Sequence, residues 1–105
     1  MKLITKEIQD KLDKAGCHGE KAICKFFNPA GAATWIIFGQ DEEDKDILFG
    51  VADLGFDCVE AGTISLSELK SVKLPMGLSI ERDTGFQHEG KDMGFFLCKE
   101  SLAGV

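Results

Sequence analysis

The sequence predicts an α+β fold: a single domain with an antiparallel β-sheet, an N-terminal helix and a short second helix packed on it. Three observations predict this. Ile4, Ile8, Leu12 and Ala15 recur at helical spacing near the start. Short segments rich in Ile, Val, Phe and Trp follow, separated by turn residues. Ser65 and Glu68 then form an S-x-x-E capping box before another apolar run.

The first helix is expected from Lys6 to Ala15. Thr5 is its cap, and Gly16 its stop, because glycine tolerates a left-handed backbone. Glu7, Asp10, Lys11 and Lys14 form its solvent face. Lys21 to Phe27 reads as a strand, then Asn28-Pro29-Ala30-Gly31 as a turn. Ala32 to Gly39 reads as the second strand of an antiparallel hairpin. Its run Trp35-Ile36-Ile37-Phe38 is apolar on both faces, as in a central strand.

Asp41-Glu42-Glu43-Asp44-Lys45-Asp46 is an exposed loop, since these acids cannot be buried unpaired. Ile47 to Leu54 is a third strand, and residues 56–61 carry no clear signal. Ile64 and Leu69 bracket the capping box as a hydrophobic staple, and Pro75 ends the second helix. Gly77 to Asp83 is expected as a strand beside a polar surface, and Phe95 to Cys98 as one more.

The chain of 105 residues is the size of one domain, and 44% of it is apolar, enough for a core. No apolar run approaches the roughly 20 residues that span a bilayer, and the start lacks the apolar stretch of a secretory signal. The expectation is a cytoplasmic protein with reduced or metal-bound thiols, without membrane association.

Charge is unevenly distributed. Residues 1–40 carry a net +2, residues 41–62 a net −7 and residues 63–105 a net −1. Clustered Lys and Arg, the means of direct nucleic-acid binding, are missing from the sequence pattern. A concentrated acidic surface suits a basic protein partner and speeds encounter with it. The candidate partner-binding residues are Asp41, Glu42, Glu43, Asp44, Asp46, Asp53, Asp57 and Glu60. An exposed acidic loop that only aids solubility is the plain alternative.

Signals for catalysis are weak. The chain has two His and one Arg, with no phosphate-binding glycine loop and no nucleophile elbow. Asp53, Asp57, Glu60, Glu81 and Asp83 are its candidates for a carboxylate pair. No catalytic residues and no cofactor are therefore assigned. Zinc remains open, with Cys17, His18, Cys24 and Cys58 as candidate ligands. Their spacing is not that of a usual zinc knuckle, and the competing reading is buried thiols. Trp35 is read as core, with an interface anchor as the alternative.

Several motifs, in order, carry a resemblance. They are Met1-Lys2-Leu3-Ile4-Thr5, Lys25-Phe26-Phe27-Asn28-Pro29-Ala30-Gly31-Ala32-Ala33-Thr34-Trp35, Phe49-Gly50-Val51-Ala52-Asp53-Leu54-Gly55, Ser65-Leu66-Ser67-Glu68-Leu69, and Gly77-Leu78-Ser79-Ile80-Glu81-Arg82-Asp83 with Phe86. Together they resemble a small domain family of unknown function carried by phages, plasmids and conjugative elements, often near antirestriction genes. The resemblance runs over about residues 1–86 and leaves the tail, 87–105, outside. It brings no established catalytic residues. Cys17-His18, Cys24 and Cys58 are departures from its pattern.

A small acidic protein of that origin is similar in kind to anti-CRISPR proteins. The resemblance implies a protein that binds and inhibits a host defence nuclease, most specifically a type II CRISPR effector nuclease, by blocking target-DNA loading. The alternatives are an accessory module that binds replication or transfer proteins of a mobile element, and a small metal-dependent enzyme.

Overall fold

Thr5 caps the first helix through its side chain: Oγ1 accepts the Ile8 N–H at 3.2 Å in the computed structural model, which describes residues 2–55, 58–102 and 105. Helix α1 spans Lys6–Ala15, with Glu7 in its first turn and Lys14 in its last, where each complements the helix dipole. Gly16 ends it at φ +69° and donates its N–H to Leu12 O.

Strand β1 spans Cys24–Phe27 and β2 Thr34–Gln40, antiparallel, with Phe27 opposite Thr34 and Cys24 opposite Ile37. The turn between them closes locally, Asn28 Oδ1 accepting the Ala30 N–H at 2.8 Å. Strand β3 (Ile47–Asp53) pairs with β2, and β4 (Val59–Ser65) with β3. Helix α2 (Leu66–Ser71) follows directly, with the Ser65 hydroxyl accepting the Glu68 N–H at 3.3 Å. After a tight turn at Pro75–Gly77 the chain reaches β5 (Glu81–Arg82), antiparallel to β1. The sheet order is β4-β3-β2-β1-β5, so β2 is the central strand that its apolar run predicts.

Alternation along β2 divides the interior in two. Ile37 faces one cluster with Leu12, Phe26, Leu48, Leu66 and Leu69, under α1 and α2. Ile36 and Phe38 face the other, with Val51, Phe96 and Leu102. Trp35 is partly buried against the first cluster. A register shift between Ile37 and Gly39 lets the backbone after α1 come close. A Cβ at Gly39 would lie 2.6 Å from Gly16 O, so only glycine fits there.

Several expected bounds change, among them the end of α2, which stops at Ser71 and not at Pro75. Residues 21–23 lie outside β1, because Ala22 instead exchanges backbone hydrogen bonds with Gly90 and Lys91. The segment 56–61, which had no clear signal, includes the start of β4. The strand expected over 77–83 shrinks to Glu81–Arg82, since Leu74 and Leu78 spend their backbone groups on a local turn. The strand expected at 95–98 is a helix, α3 (Met93–Leu97). Asp92 decides this: its carboxylate caps the Phe95 N–H at 2.9 Å. With α3 and Leu102 against it, the sheet is covered on both faces. Among the described residues no helix is long and apolar enough to cross a membrane.

Candidate functional site

The loop between β2 and β3 holds five acids within residues 41–46. Their carboxylates divide by what they do. Asp41 Oδ1 accepts the N–H groups of Glu43 at 2.8 Å and Asp44 at 3.1 Å. Asp44 Oδ1 accepts the Asp46 N–H at 3.0 Å. These are Asx-type turns, the reason Asp serves here where Glu would not reach. Gln40 ties the loop to the helix: its Nε2 donates to Lys45 O at 2.8 Å, and its Oε1 accepts from Gln9 Nε2 at 2.7 Å. The loop is therefore a shaped platform. Glu42 and Glu43 stand exposed on it.

Beside it, Asp13 on α1 adds another carboxylate, loosely paired with Lys45 at 3.9 Å. A cleft of about 180 Å³ separates this helix end from Asp41 and Glu42.

Asp46 has a different role from its neighbours. Its Oδ1 accepts the Ser67 N–H at 2.7 Å, and its Oδ2 accepts the hydroxyls of Ser65 and Ser67, each at 2.9 Å. The Ser67 and Ser65 hydroxyls hold its carboxyl below the ordinary carboxylate value. Asp46 thus joins the loop to the start of α2, and a partner would have to displace those bonds.

Asp53 is a correction. It is 2% exposed at the end of β3, and its carboxylate accepts Gly55 N at 2.9 Å, Leu102 N at 3.0 Å and Ser101 Oγ at 3.1 Å. Burial alone would raise its pKa, but these three donors together hold it below the ordinary value. No partner surface can use it. Asp57 lies outside the described residues. Glu60 is exposed on β4 and accepts the Cys58 thiol at 3.2 Å.

The expected zinc ligands do not gather in one place among the described residues. Cys24 lies in the first core, where burial pushes its thiol up to about 12. Cys58 precedes the opposite edge strand, three strand spacings of about 4.8 Å away. Its own thiol is pushed up by the hydrogen bond to Glu60. Cys17 and His18 sit in the turn after α1. Among the described residues no three His, Cys, Asp or Glu side chains gather as metal ligands.

Asp83 faces Lys25 Nζ at 3.6 Å and caps the Gly85 N–H at 2.9 Å. A cleft of about 260 Å³ beside it is crossed by the Lys11–Glu89 ion pair at 2.8 Å, and Arg82 there donates to the carbonyls of Lys2 and Leu3. The sequence pattern gave no sign of this long-range pair between α1 and the chain near its end. A wider cleft, about 560 Å³, is lined by Lys11, Lys14 and Lys21 together with His18, Glu20 and Glu89, a surface of mixed charge.

No curated protein and no solved structure matches the chain. A family model does match, over residues 2–100, and so takes in most of the tail that the motifs left out. The chain belongs to the family described as protein of unknown function DUF2958.

Proposed function

We propose that this protein acts by stoichiometric binding, docking its acidic loop on the basic nucleic-acid channel of a host defence nuclease, with a type II CRISPR effector as the specific target. The observation that carries the reading is the loop 41–46. Its backbone is fixed by Asp41, Asp44 and Gln40 while Glu42 and Glu43 face outward. A fixed array of carboxylates loses little freedom on binding, and it competes for the lysines and arginines that phosphate would otherwise neutralise. The resemblance to proteins of mobile elements supports the same target class. The functional set narrows to Asp41, Glu42, Glu43 and Asp44, with Asp13 and Glu60 as flanking charges.

The test is titration of the protein into a type II nuclease assay that reads target-DNA binding and cleavage separately. Loss of both at near-equimolar protein is the expected result. Loss of cleavage with DNA still bound would replace the loading block with a conformational lock. Unchanged binding and cleavage across several such nucleases would sink the nuclease reading.

A further inference from the structure

The two edges of the sheet are unlike. β5 is two residues long, a short edge of the kind that resists further pairing. β4 is seven residues long, pairs with β3 in unbroken register, and contains no proline, lysine or bulge. Its one charge, Glu60, is acidic, so among the described residues this edge resists a basic strand least. Glu60, Ala61, Gly62 and Thr63 are all exposed.

The direction of its free backbone groups follows from the ladder. Leu66 donates its N–H to Asp46 O at 2.8 Å, so this pair is hydrogen-bonded toward β3. Hydrogen bonding alternates along an antiparallel ladder, so Ile64, Gly62 and Glu60 also face β3. Val59, Ala61 and Thr63 therefore turn their N–H and C=O groups outward. Among the described residues no strand pairs with that edge. At its centre, a Cβ on Gly62 would meet nothing within 4 Å, so another backbone can approach closely.

We propose that β4 is a strand-addition site that takes an extended, lysine- or arginine-bearing segment of a protein partner as a sixth strand. Charge selects the occupant. Residues 41–62, which include β3 and half of β4, carry a net −7, with Glu60 on the strand itself and the acidic loop beyond its Ser65 end. A basic segment would gain main-chain hydrogen bonds from Ala61 and Thr63 and charge pairing along its flanks. A second copy of the chain would bring another net −6 to the same place. This inference rests on the reading that the protein binds a basic partner, and it names how.

The probe is a labelled peptide of about eight alternating lysines and valines, long enough to span β4. It is added to the full chain while amide exchange is followed residue by residue. At saturation, exchange at Ala61 and Thr63 should slow by about tenfold or more. Ala61→Pro should abolish the protection at Thr63 while Leu48 and Val51 stay protected. Glu60→Lys leaves the backbone intact and should weaken peptide binding by roughly tenfold. If the peptide perturbs only Glu42 and Glu43, strand addition is wrong and electrostatic docking survives. If Ala61 and Thr63 are protected without peptide and the sedimenting mass doubles, the occupant is a second copy and the proposal fails. Absence of binding overturns it, whatever the nuclease assay gives.

Discussion

The buried carboxylate of Asp53 accepts the backbone N–H of Leu102 at 3.0 Å, across 49 residues of sequence. Ser101 donates to the same oxygen at 3.1 Å. The end of β3 and the C-terminal segment are thereby fastened together, and Leu102 is held in the second core. An acid that sequence pattern offered to a partner is instead a fastening inside the fold.

Removing that acceptor leaves a buried N–H without its partner. Asp53→Ala should destabilise the fold by about 1–3 kcal/mol. Asp53→Asn, which keeps one acceptor oxygen, should cost less. Urea denaturation monitored by Trp35 fluorescence measures both, and equal stability of the alanine variant and the parent would contradict the assignment.

Acid should weaken the fold through Asp46 and Asp53. Both carboxyls are held below the ordinary value of 3.8 that they regain on unfolding. Depressed carboxyls stabilise the folded state above the unfolded pKa, and that contribution fades as pH falls through the folded values. The melting temperature should therefore be insensitive to these groups above about pH 5 and drop below about pH 4. An Asp46→Asn/Asp53→Asn double variant should show a shallower acid limb.

The cysteines should separate by accessibility. Cys98 and Cys58 are exposed and Cys24 is buried. At mildly alkaline pH a thiol reagent should label Cys98 and Cys58 in the folded protein, Cys58 more slowly because Glu60 holds its proton. Cys24 should label only on unfolding. A chelator should leave the melting temperature unchanged, whereas a drop would restore a structural metal.

Charge reversal on the loop should affect association and spare the fold. Glu42→Lys/Glu43→Lys changes exposed side chains and should shift stability by no more than about 0.5 kcal/mol. Association with a basic partner should slow by about tenfold or more at low salt, with the difference shrinking as salt rises. Asp46→Ala, in contrast, should lower stability, because it strips the bonds to Ser65 and Ser67.

Phe96 should anchor α3. Its ring meets Phe38 edge-on at 5.7 Å between centroids, with no exposure to solvent. Phe96→Ala should cost about 3–5 kcal/mol and release the C-terminal segment to amide exchange before the sheet opens.

Elements whose cues are local can be read directly from residue spacing. Thr5 and Gly16 bound α1, Ser65 starts α2, the Asn28 turn closes the hairpin, and the double-sided apolar run of β2 marks the sheet's centre. Each depends on groups a few residues apart, so spacing reveals it. The acidic loop was legible for the same reason, since adjacent carboxylates must stay near water.

What distant residues share depends instead on packing. Phe95 to Leu97 suits a strand or a helix by composition, and the cap from Asp92 with the pocket around Phe96 selects the helix. Asp46 and Asp53 look like their acidic neighbours in sequence, yet their partners lie 21 and 49 residues away. The strand order places Cys24 and the residue before β4, Cys58, three strands apart, which spacing in the sequence does not show. Chain order fixes neither the strand order nor which carboxylate meets a buried N–H; packing of the two faces does.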